Sequence, residues 1–363
     1  MLTPCIFEVG NNTSAQMITS GHRLFIIVIL FLISISSYLL HHHLLNNELL
    51  AWRQKPSIAR KNVTVLLWHW PFGRHSRIDG DKCWEMYNIS HCFLSDNTSI
   101  FPTADVVVFH HRELKSDRST LPFHLPRPAS QQWVWLSLES PDHNVNVAAF
   151  NGLFNWTMTY RRDADIYIPY GKTIPGGKIL THKAPQNRTC LVSWVVSRYM
   201  SKQTRAGIYQ NLKKYIPIEV YGHWNRRPLS NKQLLPTIGR CLFYLAFENS
   251  ESMDYISEKL WRNAFQSGAV PVVLGPSRAN YEALAPPGSF IHVKDFNSTM
   301  DLAAFLKSLA ADRKAYERYF HWHRTHSIKT YTDWRERLCQ ICVNYNRLPT
   351  HKVYHDLDGW VRK

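Results

Sequence analysis

The chain has 363 residues, 45% hydrophobic and 13% aromatic, too apolar for a disordered scaffold and long enough for about two domains. Lys and Arg number 43 against 27 Asp and Glu, a formal charge of +16, and a field of that sign favours anionic partners. The basic residues are dispersed and the 13 Trp and 17 Tyr follow no repeated base-stacking pattern, which argues against nucleic acid and leaves anionic lipid, nucleotide or acidic glycan.

Residues 1–23 read as a short tail ahead of Leu24–Leu40, a run of uncharged, mostly apolar residues bounded by Arg23 and His41. At about 1.5 Å per residue the run nearly crosses a hydrocarbon core, and no small-x-small cleavage site follows it, so it reads as an uncleaved transmembrane signal-anchor rather than a cleaved signal. Residues 41–61, with Pro56 and mixed charge, read as a stem. Arg53, Lys55, Arg60 and Lys61 on the C-terminal side outnumber Arg23, and by the positive-inside count they favour a cytoplasmic remainder. The glycosylation sequons at Asn62, Asn88, Asn97, Asn155, Asn187 and Asn297 outweigh that count and place the remainder in a lumen. Apart from Cys5, the cysteines are Cys83, Cys92, Cys190, Cys241, Cys339 and Cys342. Six suit three disulfides in an oxidising compartment, and spacing alone leaves 15 connectivities open. Zinc at Cys339-x-x-Cys342 lacks a second closely spaced ligand pair.

From residue 62 onward, short apolar runs at Val63–Trp68, Val106–Phe109, Trp133–Leu138, Leu191–Val196, Phe243–Phe247 and Val270–Leu274 predict buried parallel strands. Amphipathic stretches at Arg205–Tyr215, Tyr255–Ser267 and Met300–Leu309 alternate with the later runs. The alternation predicts an α/β fold with doubly wound sheets, two Rossmann-like domains facing a cleft, and a loop-rich divide over Tyr170–Lys183. A helical tail from about Tyr316 is expected to return across them.

The most informative segment is residues 247–275, FENSESMDYISEKLWRNAFQSGAVPVVLG. Its polar residues follow a strand, where doubly wound folds bind ligands. Asp254 is the expected N-cap of the next helix, Ile256, Leu260 and Ala264 its buried face, and Gly268 its end. That places Tyr255, Glu258 and Lys259 near the first turn, where free amides and a lysine favour phosphate.

This segment resembles the donor motif of the α1,3-fucosyltransferases, glycosyltransferase family 10. The resemblance covers residues 62 to 362, including Trp70-Pro71-Phe72-Gly73, His110-His111-Arg112-Glu113-Leu114, Leu138-Glu139-Ser140-Pro141 and Tyr160-Arg161-Arg162-Asp163. It implies a GT-B-type enzyme that moves L-fucose from GDP-fucose to the 3-hydroxyl of N-acetylglucosamine, with inversion and with no cofactor or metal required. The domains implied are 62–172 on the acceptor side, 173–340 binding GDP-fucose, and a tail at 341–363.

Glu139 matches the family's general base, and a carboxylate at the end of the Trp133–Leu138 strand suits that task. Arg205 and Lys259 match positions that neutralise the departing diphosphate. Asn249, Tyr255 and Glu258 match donor-binding positions, with Tyr170 and Ser197 as weaker matches. Arg198 stands where the family often has Asn. Related enzymes pair Cys190 with Cys241 and link Cys83 and Cys92 to Cys339 and Cys342; bridges within the two local pairs stay open. The family's location implies a Golgi membrane, type II, and its acceptors are glycoprotein and glycolipid N-acetyllactosamine. Sialylated acceptors would give sialyl Lewis x-type glycans for selectins, with Arg74 and Arg77 as candidate carboxylate contacts. Homodimerisation through the stem is left open. Two readings compete: a metal-dependent transferase using Asp79/Asp81, Asp163/Asp165 or Asp356/Asp358, and a glycan-binding protein without turnover.

Overall fold

The computed structural model describes residues 28–29, 31–44, 62–114, 120–176 and 188–363. Residues 28–29 and 31–44 are helical and exposed, and no helix among the described residues is long and apolar enough to cross a membrane. Residues 24–27 and 30 of the expected anchor, most of the stem, residues 177–183 of the expected divide and the sequon at Asn187 lie outside the described residues.

From Asn62 onward the chain is an α/β fold with two parallel sheets. The first contains β1 (Val63–Leu67), β2 (Cys92–Ser95), β3 (Val106–His110), β4 (Gln132–Ser137), β5 (Trp156–Thr159) and β6 (Ile166–Tyr167), in the order β2-β1-β3-β4-β5-β6. A strand β7 (Gly171–Pro175) leads to the second sheet of β8 (Cys190–Val195), β9 (Ile218–Tyr221), β10 (Cys241–Phe247), β11 (Val270–Leu274) and β12 (Ile291–His292), ordered β12-β11-β10-β8-β9. All pairings in both sheets are parallel. Each sheet therefore reverses its winding between its first and third strands, the switch point where open α/β sheets leave a crevice.

The apolar runs alternate between two cores because successive side chains of a strand point to opposite faces. Val65, Val106 and Val134 pack on one face of the first sheet, and Leu66, Val107 and Trp133 on the other. The C-terminal residues cover both faces: Leu338 and Ile341 join the first cluster, Tyr354, Leu357 and Val361 the second. This return starts with the helix Trp334–Asn344, which the disulfides Cys83–Cys339 and Cys92–Cys342 staple to the helix Lys82–Tyr87 and to β2 across 256 and 250 residues. Closing the first loop removes roughly 5 kcal/mol of unfolded-chain entropy in the chain-entropy account, and the second bridge, which then closes only a short ring, roughly 3 kcal/mol more. Cys190–Cys241 joins the first residues of neighbouring strands β8 and β10, at the end opposite the crevice.

Two local expectations are overturned. Gly171–Pro175, expected as loop, is a strand that pairs antiparallel with β13 (His326–Thr330), a partner some 150 residues away that no local pattern announces. Asp254 is not a helix N-cap: its φ is +61° and the helix starts only at Glu258, with Lys259–Ala264 wound as a π-helix. Its carboxylate accepts instead from Arg162 N and Nε, each at 2.9 Å, and from Asn280 Nδ2 at 2.7 Å. Gly268 does end that helix, in the left-handed region at φ 73°.

Asn155 is a sequon only by composition. It is buried, its Oδ1 accepts from Trp133 N at 2.8 Å and Arg127 Nη2 at 2.6 Å, and its Nδ2 donates to Lys352 O at 2.9 Å. A glycan on Nδ2 has no room in this fold, whereas Asn62, Asn88, Asn97 and Asn297 are exposed. The peptide bearing Asn155 is expected to remain unglycosylated in mass spectrometry. Asn155→Ala should lower stability by about 1–3 kcal/mol, seen as a reduced melting temperature, because buried donors lose their acceptor.

Candidate active site

The switch point of the second sheet opens a cavity of about 420 Å³. Its walls include Glu248, Asn249 and Ser250, which follow β10, and Lys202, Gln203, Thr204 and Arg205 at the start of the helix Thr204–Leu212. Asp142, from the segment after β4 of the first sheet, closes another side. The helix has no N-cap side chain and no acidic residue in its first turn, so its positive end faces the cavity; Glu251, which bonds the Thr204 side chain and is ion-paired to Lys294, also lines it.

Arg205 is 6% exposed and is aimed by two bonds, Nε to Gln203 Oε1 at 2.8 Å and Nη2 to Arg198 O at 2.6 Å. Its Nη1 donates to no protein atom among the described residues. Burial pulls its pKa down and the Glu248 charge opposes that fall, so the guanidinium stays charged beside a space suited to an anion. Asn249 Oδ1, also at the cavity, is buried without a hydrogen-bond partner. An orphaned acceptor of this kind is expected where a ligand hydroxyl docks.

Lys259 is differently placed. Its Nζ lies 3.0 Å from Glu248 Oε2, 2.8 Å from Ser257 Oγ and 3.2 Å from Glu258 Oε1. Burial alone would lower its pKa, but Glu248 and Glu258 hold it well above the usual lysine value. Glu248 is buried and also accepts from Ser257 N at 2.8 Å and Ser257 Oγ at 2.7 Å; burial pushes its pKa up while Lys259 pulls it down. With three donors on its two oxygens, we assign it as ionised. The positive charge of Lys259 is thus already shared between two carboxylates, and only one of them, Glu248, reaches the cavity wall. The sequence sets Glu248 among the polar residues at the ligand-binding end of the strand, but an acid there carries no sign of its partner 11 residues on.

Glu139 follows β4 and lines a narrow recess with Tyr160, Arg161 and Trp360. Its backbone is fixed: Glu139 N donates to Ser137 Oγ at 3.2 Å, and Asn144 Nδ2 donates to Glu139 O at 3.0 Å. No protein donor bonds its carboxylate among the described residues, which leaves both oxygens free to receive a proton. Three residues later Asp142 accepts from Ser250 Oγ and lines the cavity, while Glu139 itself lines the separate recess. Asp142 and its bond to Ser250, which joins segments 108 residues apart, have no local motif to announce them.

The remaining expected residues divide. Tyr170 donates from its OH to Leu138 O at 2.7 Å and steadies the strand end before Glu139. Tyr255, expected to cover a ligand, is instead 2% exposed, its ring 5.0 Å from Tyr160 and 6.4 Å from Tyr170. Ser197 is exposed just past β8, and neither it nor Tyr170, Tyr255, Glu258 or Lys259 lines the 420 Å³ cavity. Arg74 and Arg77 are exposed on the loop after β1, at the carboxyl edge that also carries Glu139, and neither forms an ion pair among the described residues. Five of the six paired aspartates have structural partners: Asp79 accepts from Ser95 Oγ, Asp163 binds Arg161, Asp165 accepts from Thr157 N, Asp356 caps Gly359 and Asp358 binds Arg362, while Asp81 makes no side-chain cap bond.

Residues 60–171 match the description "Fucosyltransferase, N-terminal", and residues 185–360 match "Glycosyltransferase family 10 (fucosyltransferase) C-term". This chain belongs to the fucosyltransferases of glycosyltransferase family 10. It is a glycosyltransferase, and among its relatives is human alpha-(1,3)-fucosyltransferase 7, 46% identical over 303 residues, which cover 82% of this chain and 86% of that protein. A second is 4-galactosyl-N-acetylglucosaminide 3-alpha-L-fucosyltransferase 9 of Bos taurus, 41% identical over 298 residues, 82% of each chain. The fold of this fucosyltransferase is similar to a solved alpha1,3-fucosyltransferase with GDP-fucose, at TM-score 0.53 and 18% identity, covering 84% of this chain and 95% of that one.

Proposed function

We propose that this fucosyltransferase is an inverting α1,3-enzyme of GT-B type, with the acceptor-side half at 62–172, the donor half at 173–340 and the tail 341–363 packed back on the first half. Its donor is GDP-fucose, and its acceptor is the 3-hydroxyl of N-acetylglucosamine in sialylated N-acetyllactosamine. The observation that carries the reading is a carboxylate free of protein donors, Glu139, on the same short connection as Asp142, which lines the cavity holding Arg205 and the unpartnered Asn249 Oδ1.

Glu139 takes the proton of the acceptor hydroxyl as that oxygen bonds the anomeric carbon of fucose from the face opposite the diphosphate. The carbon–oxygen bond to the β-phosphate breaks, its electron pair leaves with GDP, and the β-linked sugar becomes α-linked. Arg205 and the uncapped helix end stabilise the charge growing on the diphosphate. Asn249 Oδ1 receives a donor hydroxyl. Names of the relatives support the α1,3 linkage, and the unpaired Arg74 and Arg77 support an acidic acceptor. The sequons and the apolar run Leu24–Leu40 support a type II anchor with the catalytic part in the Golgi lumen.

A single assay tests donor, acceptor and metal together. GDP-fucose is supplied with sialylated or neutral N-acetyllactosamine, with and without a chelator. GDP release is expected only with acceptor, more with the sialylated one and unchanged by the chelator; the double variant Arg74→Ala/Arg77→Ala is expected to narrow the acceptor preference. Donor turnover without fucosylated product would sink the reading.

A further inference from the structure

On the outer side of the first sheet an open groove of about 660 Å³ runs between the helices Lys82–Tyr87 and Trp334–Asn344. It lies apart from the catalytic residues and shares no lining residue with the 420 Å³ cavity. One wall carries Trp84 and Met86, which are 52% and 43% exposed. The opposite wall is polar, with Glu336 and Gln340, and Lys329 at the rim is ion-paired to Glu336. The two walls are held at a set spacing by Cys83–Cys339 and by Tyr87 OH, which donates to Asp333 Oδ2 at 2.7 Å.

Asn88 itself lines this groove. It sits in the left-handed region at φ 57°, φ/ψ that end the first helix, and its N–H donates to Trp84 O at 3.1 Å. The backbone of the sequon is thus fixed one helical turn from an exposed indole. A pyranose has an apolar C–H face and a hydroxyl rim, which match an aromatic wall facing amide and charged groups. A volume within the ~300–1,000 Å³ typical of ligand pockets accommodates the first sugars of a glycan core.

We infer that this groove is the seat of the chain's own Asn88-linked glycan, whose core sugars stack on Trp84 and bond to Gln340 and the Lys329–Glu336 pair. The inference rests on the lumenal placement proposed above. A seated core is shielded from enzymes that trim and release glycans, and the rigid, disulfide-clamped walls make the shielding cheap in ordering entropy.

The test uses the full-length protein from glycosylating cells, with site-specific glycopeptide mass spectrometry and timed peptide N-glycosidase digestion of the folded enzyme. The Asn88 glycan should stay less processed than that of exposed Asn97 and be released several-fold more slowly. Trp84→Ala should bring both measures to the Asn97 level with transfer activity unchanged, and Gln340→Ala should do so in part if the first variant folds poorly. Equal processing and release at Asn88 and Asn97 in the unaltered protein would overturn the inference, as would an empty Asn88 beside occupied Asn97 and Asn297. Sequons empty throughout would overturn the lumenal placement as well.

Discussion

Glu139→Gln is expected to bind GDP-fucose with near-normal affinity and to lose transfer by about 10²–10⁴-fold, the usual contribution of a positioned general base. The amide keeps the shape of the side chain, and the contacts that fix residue 139 are made by its backbone, from Ser137 Oγ and Asn144 Nδ2. The fold has no reason to respond. The loss should fall on kcat, because proton removal occurs only as the new bond forms, and donor binding measured by calorimetry should stay constant. Glu139→Gln with normal donor binding and full transfer would show that another acid is the base. The nearest alternative on the same connection is Asp142, already engaged by Ser250 Oγ.

Arg205 and Lys259 are expected to fail in different ways. Arg205→Ala removes a cation at the cavity whose loss leaves only Gln203 Oε1 and Arg198 O to find new donors. Its main effect should be on chemistry, about 10²–10³-fold in kcat with weakened GDP binding, the scale set by loss of one preorganised charge-stabilising group. Arg205→Lys should recover little, since an ammonium cannot reproduce the guanidinium fork. Lys259→Met strands buried Glu248 without its counter-charge, and should destabilise the protein by about 3–5 kcal/mol before any effect on turnover is read. The double variant Glu248→Gln/Lys259→Met should regain much of that stability. Activity restored along with stability would mean that Lys259 acts through the fold; stability without activity, with Glu248→Gln alone still active, would place its charge in the reaction.

The legibility of this protein varied with distance along the chain. The strand Val270–Leu274 and the core of β3 and β4 were readable because a fully buried parallel strand must be a short, continuous apolar run. Gly268 was readable as a helix end because only glycine takes φ 73° at little cost. Asp254 misled because the same side chain serves as a local cap or a long-range anchor, and its partner Arg162 lies 92 residues earlier. The Asn155 sequon misled likewise: three residues make the motif, while burial against Trp133 and Lys352 makes it unusable. Short strands with mixed sides, Cys92–Ser95 and Ile218–Tyr221, were missed because four residues give too little periodicity to separate from loop.

What the order of residues settled was the chemistry on offer: strand cores, six cysteines after Cys5, a family motif, and acids and bases of the right kind. Folding settled which of those charges are available. Glu139 emerges without a donor, Arg205 is turned to the cavity, and Lys259 is drawn into Glu248 and Glu258. The reason is that a charge is free or spent according to what lies within about 4 Å of it. Such neighbours come from segments as far apart as Asp142 and Ser250, which chain spacing does not record.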